Sequence, residues 1–506
     1  MKKHALLIFF LIVFVTGCSE KNTHNPENIK QFDTDDITFL SDDTYDVITP
    51  WFNPFTEIQI SLELTSPSGR EFSVPGFFDG DGDGGMRGRI FKVRVSPDEI
   101  GSWHWQSKSS LPELDQLTGS FEVKDTIEGD FSNGPVAILQ SDPRRFSFAN
   151  QKPLFLIGKF LDIEQPAHLQ FSHTFLSEKW DDRQREQLLD HHVSLGINKM
   201  NIYLANKGDY NAIPTTPWLG TSARNIKSRF DLHWWHQYEK WIERLRDENI
   251  IAHLWFFADD SSFNLLTEAE REQLITYGMA RLSGYANTIF TLALEWQEDF
   301  TVNKIRSAGT LTQKNNPWHR LISVHSLSVT ESPEDSTVFF DDDWLDFIEI
   351  QTGFISHEKI YPIGLQFRKK SRKPMILEEF SFGENTDEQR INTWTALLTA
   401  PAGIGTGSGI KSLSTFLRTI DITQFTPTPE LITSGNAYAA QSDNGQTLIY
   451  IFNKGPLTLT TEKINSNNGQ WFNPRNGEYS GSIFVLDTRS PITPPTDQDW
   501  VLLLSP

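Results

Sequence analysis

The chain has 506 residues, a formal net charge of −21, 15 Trp and 37 Phe. That length exceeds what one core usually serves, so two or three domains are expected, and the aromatic content argues against disorder over the bulk. The acidic balance argues against nucleic acid as a partner and, more weakly, against strongly anionic polymers.

The N-terminus reads "MKKHALLIFFLIVFVTGCSEKN". Lys2 and Lys3 form a positive head and Ala5 to Val15 an apolar stretch, the pattern of an export signal over residues 1–17. It closes in "VTGC", which resembles a bacterial lipobox. That resemblance implies cleavage before Cys18, lipid on its sulfur and anchoring to a membrane. Ser19 in place of Asp implies the outer membrane of a Gram-negative bacterium. The alternative is a plain signal with an incidental cysteine. Cys18 is the sole cysteine of the chain, so no intrachain disulfide is available. Residues 18–35 are polar and read as a tether.

From 36 to 126 the pattern is all β. "EIQISLEL" and "RIFKVRVS" alternate with period two, placing Phe91, Val93 and Val95 on one face. A small β-sandwich is expected. Within it "DGDGDGG" sets Asp79, Asp81 and Asp83 at the spacing that opens a calcium loop. The twelfth position is Ile90 rather than Glu, and no helix flanks the loop, so a Gly/Asp turn is the competing reading.

From 127 to 420 apolar strands alternate with amphipathic helices. "LFLIGKF", "INKMNIYLA", "IIAHLWFFADD", "TIFTLALEW", "LISVHSL", "LDFIEIQT", "PMILEEF" and "AGIGTGS" are the strand candidates. Gly196 is placed to cap one helix, Thr267 and Glu270 to box the start of another, and Trp234, Tyr238, Trp241, Ile242 and Leu245 to line one face of a third. The series predicts a central (β/α)8 TIM barrel. Residues 425–506 are β again and predict a C-terminal β-sandwich. The fold class is thus multidomain, a barrel flanked by two all-β domains.

Barrel chemistry sits at the C-terminal ends of strands. In the fourth strand Thr291, Ala293 and Glu295 share the face carrying small groups, which points Glu295 inward. The seventh ends in Glu378-Glu379, the fifth in His325, the sixth in Gln351. Two carboxylates from strands four and seven suit acetal hydrolysis, which needs one group to protonate the leaving oxygen and another to face the oxocarbenium centre. Rim salt bridges are the alternative role. Alternation sends Glu378 and Glu379 to opposite faces without choosing between them, since Met375, Ile376 and Leu377 are all apolar. Asn201, Tyr203, Trp255 and Asp259 lie near other strand ends, where amides and aromatic rings suit sugars, although packing serves them equally. His325 is a further candidate for substrate contact.

These residues resemble clan A of the glycoside hydrolases. The resemblance of "TIFTLALEW" implies that Glu295 is the acid/base. That of "PMILEEFSFG" selects Glu379 as nucleophile, leaving Glu378 toward the helix layer or rim. It implies a retaining mechanism, a carbohydrate substrate and no cofactor. Leu294 departs from the Asn that often precedes the acid, and motivates the alternative of an inactive glycan-binding lipoprotein. "VPGFFDGDGDGGMRGRIFKVRVSPDEIGSWHW" is similar to a β-domain of unknown function that precedes such barrels. "WFNPRNGEYSG" with "DWVLLL" is similar to a β-domain that follows them.

Overall fold

A computed structural model describes residues 23–26, 29–159, 181–205, 216–221, 224–257, 266–330, 335–353, 355–380, 385–405, 408–453, 455–460, 464, 468–487 and 490–506. The expected signal peptide, Cys18 and Asp259 lie outside them.

The N-terminal region is sheet-rich. β1 (Thr23–His24), β2 (Asp35–Asp46), β3 (Ile60–Thr65), β4 (Glu71–Phe78), β5 (Arg87–Val95), β6 (Gly101–Ser109) and β7 (Thr118–Val123) form one antiparallel sheet in the order β1-β2-β5-β4-β3-β6-β7, with the short helix α1 (Pro54–Glu57) between β2 and β3. The two expected layers are therefore halves of one sheet. β4 pairs with β3 through Pro75 and with β5 from Gly76 onward. A Cβ on Gly76 would stand 2.8 Å from the Lys92 carbonyl and from Ile60 and Val93 methyls, so the crossover needs glycine. The halves pack face to face, with the Phe39 and Trp105 rings 5.7 Å apart. Alternation reports which face a residue takes, not where a strand changes partner.

A three-stranded antiparallel sheet follows, β8 (Val136–Ile138), β9 (Phe146–Phe148) and β10 (Pro153–Leu154). Each stretch read as a central strand then contains one: β11 (Leu156–Ile157), β12 (Lys199–Ala205), β15 (Ile251–Phe257), β16 (Thr288–Ala293), β17 (Ile322–Ser323), β18 (Ile348–Gly353), β19 (Met375–Phe380) and β20 (Gly403–Ile404). An antiparallel hairpin, β13 (Trp218–Thr221) and β14 (Arg224–Phe230), interrupts the series after β12. The eight strands form two parallel sheets, β11-β20-β19-β18 and β12-β15-β16-β17. At one seam His325 and Glu349 form a parallel bridge. At the other the Asn198 N–H donates to the Ile157 carbonyl at 3.0 Å, and the Asn198 side chain accepts from the Ile157 N–H at 2.7 Å.

Helices fill the intervals: α2 (Asp182–Leu195), α3 (Leu232–Asp247), α4 (Glu268–Leu282), α5 (Val302–Lys314), α6 (His357–Lys370), α7 (Thr386–Leu397) and α8 (Ile410–Leu417). Gly196 caps α2 at φ 76°, and Thr267 and Glu270 form the capping box of α4, as expected. On α3 the buried tryptophans are Trp235 and Trp241, while Trp234 is half-buried, one position off the expected stripe. The C-terminal region is sheet-rich too: β21 (Phe425–Pro427), β23 (Ala437–Ser442), β24 (Thr447–Ile451), β26 (Asn468–Asn473), β27 (Glu478–Val485) and β28 (Trp500–Ser505) form one sheet, with β22 (Ile432–Ser434) and β25 (Thr458–Leu459) paired beside it.

The N-terminal sheet is bonded to the central region through buried charges. Arg94 on β5 donates to Glu239 of α3 at 2.8 Å and to the Arg281 carbonyl at 2.7 Å, and pairs with Asp36. Arg281 of α4 donates to Glu239 at 2.6 and 2.8 Å and to Asp79 at 2.8 Å. Asp79 also meets Lys92 at 2.7 Å and His236 at 3.0 Å. The calcium reading of this loop fails on that geometry. Asp79 is fully buried against cations, Asp81 accepts the backbone N–H groups of Asp83 and Gly85, and Asp83 is exposed. The loop is a turn.

Candidate active site

In two of the parallel strands the apolar run is broken by polar residues two apart, Lys199 and Asn201 on β12 and Glu349 and Gln351 on β18, and β15 carries a single one, His253. Period two puts each set on one face, and the contacts show that this face is the interior. Lys199 forms a fully buried ion pair with Glu378 of β19 and donates to the Asn201 side-chain oxygen at 2.6 Å. Asn201 Nδ2 donates to Glu378 at 3.3 Å. Glycines make room for this pair: a Cβ on Gly405 would fall 1.5 Å from Glu378 Oε2, and one on Gly158 3.0 Å from the Lys199 stem.

Glu378 is thus not toward the helix layer or rim, where the resemblance had left it. It points into the interior, and Glu379 does not take the opposite face. The reason is local backbone. Glu379 has φ 41°, in the left-handed region where a non-glycine residue costs about 1–3 kcal/mol. That turn interrupts the pleat and lets adjacent carboxylates serve one interior. Glu295, two residues past the end of β16, has φ 42°. The two glutamates singled out on chemical grounds share this conformation.

His325 stands between them. Its Nδ1 accepts the Glu295 N–H at 3.5 Å, and its Nε2 lies 3.9 Å from Glu379 Oε1. Gln351 Nε2 donates to Glu379 Oε2 at 3.2 Å. Burial, helped by the nearby Lys199 charge, lowers the His325 pKa to about 3, so the ring is neutral. With Nδ1 accepting, its proton resides on Nε2, facing Glu379. Trp255 packs on His325 with ring centroids 5.2 Å apart, and Tyr203 on Trp255 at 5.9 Å. Of the expected site residues, Glu295, Glu379, His325, Gln351 and Trp255 come together, with Tyr203 behind Trp255. Asn201 lies a layer deeper, bonded to Glu378.

That deeper layer obeys a proton count. His253 Nδ1 is 3.1 Å from Asn201 Oδ1, an acceptor already holding Lys199, and 3.5 Å from the Lys199 ammonium, a donor; the shorter contact puts a hydrogen on Nδ1. His253 Nε2 is 2.7 Å from Thr291 Oγ1, which also bonds Glu349. Either Thr291 donates to a neutral His253 and Glu349 holds a proton, or His253 is charged and Glu349 ionised. Burial lowers the His253 pKa strongly, with Lys199 and His325 adding to it. Burial, reinforced by the Glu378 charge, raises that of Glu349 to about 8. The neutral pair is favoured. His253, Glu349 and Glu378 have donor atoms within 4.8 Å of one another, the one such group of three among the described residues. Lys199 already supplies its positive charge.

Residues 174–410 match the family model "Apiosidase-like, catalytic domain". Residues 28–110 match a "Domain of unknown function (DUF5060)", and 430–505 a "Putative collagen-binding domain of a collagenase". The central region is a glycoside hydrolase-like catalytic domain. Among solved structures, a "putative glycoside hydrolase" from Bacteroides vulgatus is similar over 95% of this chain and 100% of its own, at 17% identity and TM-score 0.74. A family 5 glycoside hydrolase from the same organism is similar over 75% of this chain and 94% of its own, at 14% identity and TM-score 0.60. Those likenesses are of fold. Among curated proteins none matches the sequence significantly.

Sequence reasoning passed over Lys199, His253, Thr291 and Glu349. Their signal was present: polar residues inside apolar strands, at positions that alternation assigns to the face of Glu295. They lie within the strands rather than at their C-terminal ends.

Proposed function

We propose that the enzyme is a retaining clan A glycoside hydrolase whose eight parallel strands close as a (β/α)8 barrel, with Glu295 as acid/base and Glu379 as nucleophile. The observation that carries this is the pair of left-handed glutamates after the fourth strand and in the seventh, meeting at one buried neutral histidine. Backbone strain collects at active sites, and its occurrence at both carboxylates of one site supports a functional role for them. Glu295 protonates the departing oxygen while Glu379 attacks the anomeric carbon, forming a glycosyl ester. Glu295 then takes a proton from water as it opens that ester with net retention. Gln351 Nε2–H donates to Glu379 and positions it, and the His325 Nε2–H faces its other oxygen at 3.9 Å. Trp255 forms the apolar floor beside them.

The same proposal divides the chain near 126 and 420. It places the protein outside the cytoplasm, held to the outer membrane by lipid on Cys18, and takes a glycan as substrate. The family-model match makes apiose-bearing glycans the first probe.

Hydrolysis of a glycan panel by the wild type, Glu295→Ala and Glu379→Ala tests the mechanism. Each variant is expected to lose about a thousandfold or more in kcat. NMR of the first-formed product is expected to show retained anomeric configuration. Activity near wild type in either variant, or inversion, overturns the assignment.

A further inference from the structure

Trp51 is 84% exposed, the largest exposure among the big apolar side chains described, and Ile48 beside it is 64% exposed. An exposed indole keeps apolar area in water that a stacking ligand would cover. Here the backbone around it is fixed. Arg229, itself buried, donates to the carbonyls of Val47 (2.5 Å), Thr49 (2.7 Å) and Phe52 (3.0 Å), closing around Trp51 from both sides. Asn53 Nδ2 donates to the Ser228 carbonyl at 2.8 Å, and its Oδ1 caps α1. Phe52 stacks on Tyr45 at 5.3 Å, and Phe55 meets Phe230 at 5.2 Å.

Arg229, Ser228 and Phe230 belong to β14, in the connection from β12 to α3. Connections of that kind leave the C-terminal ends of the parallel strands, the side on which Glu295 and Glu379 lie. The N-terminal region thus presents a rigid, exposed indole from a loop bolted to the rim of the candidate active face. The segment Ser41–Glu57 carries Asp42, Asp43, Asp46 and Glu57 and no Lys or Arg. Such a surface disfavours an anionic lipid surface or an acidic polymer. It suits the C–H face of a neutral sugar ring, and a prefixed indole loses little entropy on stacking.

We propose that Trp51 is a distal platform that stacks a neutral sugar unit of a glycan chain extending beyond the catalytic pair. The N-terminal region would thereby be part of the substrate cleft. This rests on the glycosidase reading above. It concerns chain length rather than bond cleavage, and Trp51 lies outside the catalytic machinery.

The test uses the full chain as wild type and Trp51→Ala. Soluble neutral polysaccharides, among them arabinoxylan, xyloglucan and glucomannan, and apiose-bearing glycans are probed for cleavage and by affinity electrophoresis. The shortest cleaved oligosaccharide of each is run in parallel. Trp51→Ala is expected to lose about tenfold in kcat/KM on the polymer, to migrate faster in its presence, and to keep wild-type kcat/KM on the short substrate. Equal activity of both proteins at every length overturns the platform and leaves the proposed function standing. So does a Trp51→Ala effect confined to self-association in light scattering or to vesicle co-sedimentation, which gives the surface to a second copy or a bilayer. A wild type that neither cleaves nor binds any glycan overturns both.

Discussion

Two buried charge clusters in this molecule solve the same problem differently. At the seam between the N-terminal sheet and the central region, Arg94, Arg281 and Lys92 face Asp36, Asp79 and Glu239. Cations equal anions, and burial is outweighed by the guanidinium charges. Glu239 is held down to about 2 and Asp79 lower still, chiefly by Arg281. Under the candidate catalytic pair, one lysine faces two carboxylates, Glu378 and Glu349, and a neutral histidine. There the missing cation is replaced by a proton on Glu349. Planar guanidinium groups can bridge several carboxylates and fasten surfaces across a wide pH range. The lysine layer is compact enough to sit among the parallel strands, and it is the one that feels pH.

Breaking each cluster at its central cation should separate the two. Arg281→Met takes the leading cation from both Glu239 and Asp79, leaving them to Arg94 and Lys92, and is expected to cost about 3–5 kcal/mol. Denaturant unfolding should show it, along with early exposure of the N-terminal sheet to protease. Lys199→Met strands Glu378 alone, and about 3 kcal/mol is expected. Its distinguishing readout is catalytic: the acid limb of the kcat profile should move to higher pH, because an uncompensated Glu378 beside Glu379 disfavours the second charge. Removing both charges, as Lys199→Met with Glu378→Gln, should return most of the stability and most of that limb. A Lys199→Met enzyme that folds with an unmoved acid limb would reduce the layer to packing.

What the sequence made legible follows the same division. The eight strand stretches, the α2 and α4 caps and the glutamates after strands four and seven were readable, because period, cap chemistry and strand ends are local signals. The single N-terminal sheet was not, since Gly76 marks a change of partner that only three-dimensional crowding explains. The Glu378-Glu379 orientation was not either. Alternation assumes a regular pleat, and Glu379 leaves it at φ 41°. The Asp79 loop stayed open between calcium and a turn because acidic spacing looks alike whether the partner is an ion or the side chains of Lys92, Arg281 and His236 from distant segments.

The smallest effect is the proton itself, and it is the most discriminating. Glu349 titrates near 8 in the folded chain against an ordinary 4.5, raised first by burial and then by Glu378. Between those values the folded state holds a proton that the unfolded chain has released. Stability must therefore fall as pH rises through the window, by up to about 1.4 kcal/mol per pH unit. Below about 4.5 the contribution is fully present, and above about 8 it is gone. His253, kept neutral by burial, works in the opposite sense below its ordinary value of 6.5, so the clean interval is pH 6.5–7.5. Glu349→Gln keeps a group that can donate to Thr291 but cannot ionise. Its unfolding free energy should be flatter than the wild type's across that interval by about 1.4 kcal/mol, while Arg94→Met at the balanced seam should leave the wild-type slope unchanged. Parallel slopes for wild type and Glu349→Gln would mean that Glu349 is ionised in the folded protein. The charge deficit would then have to be met by a protonated His253, the other branch of the same hydrogen-bond count.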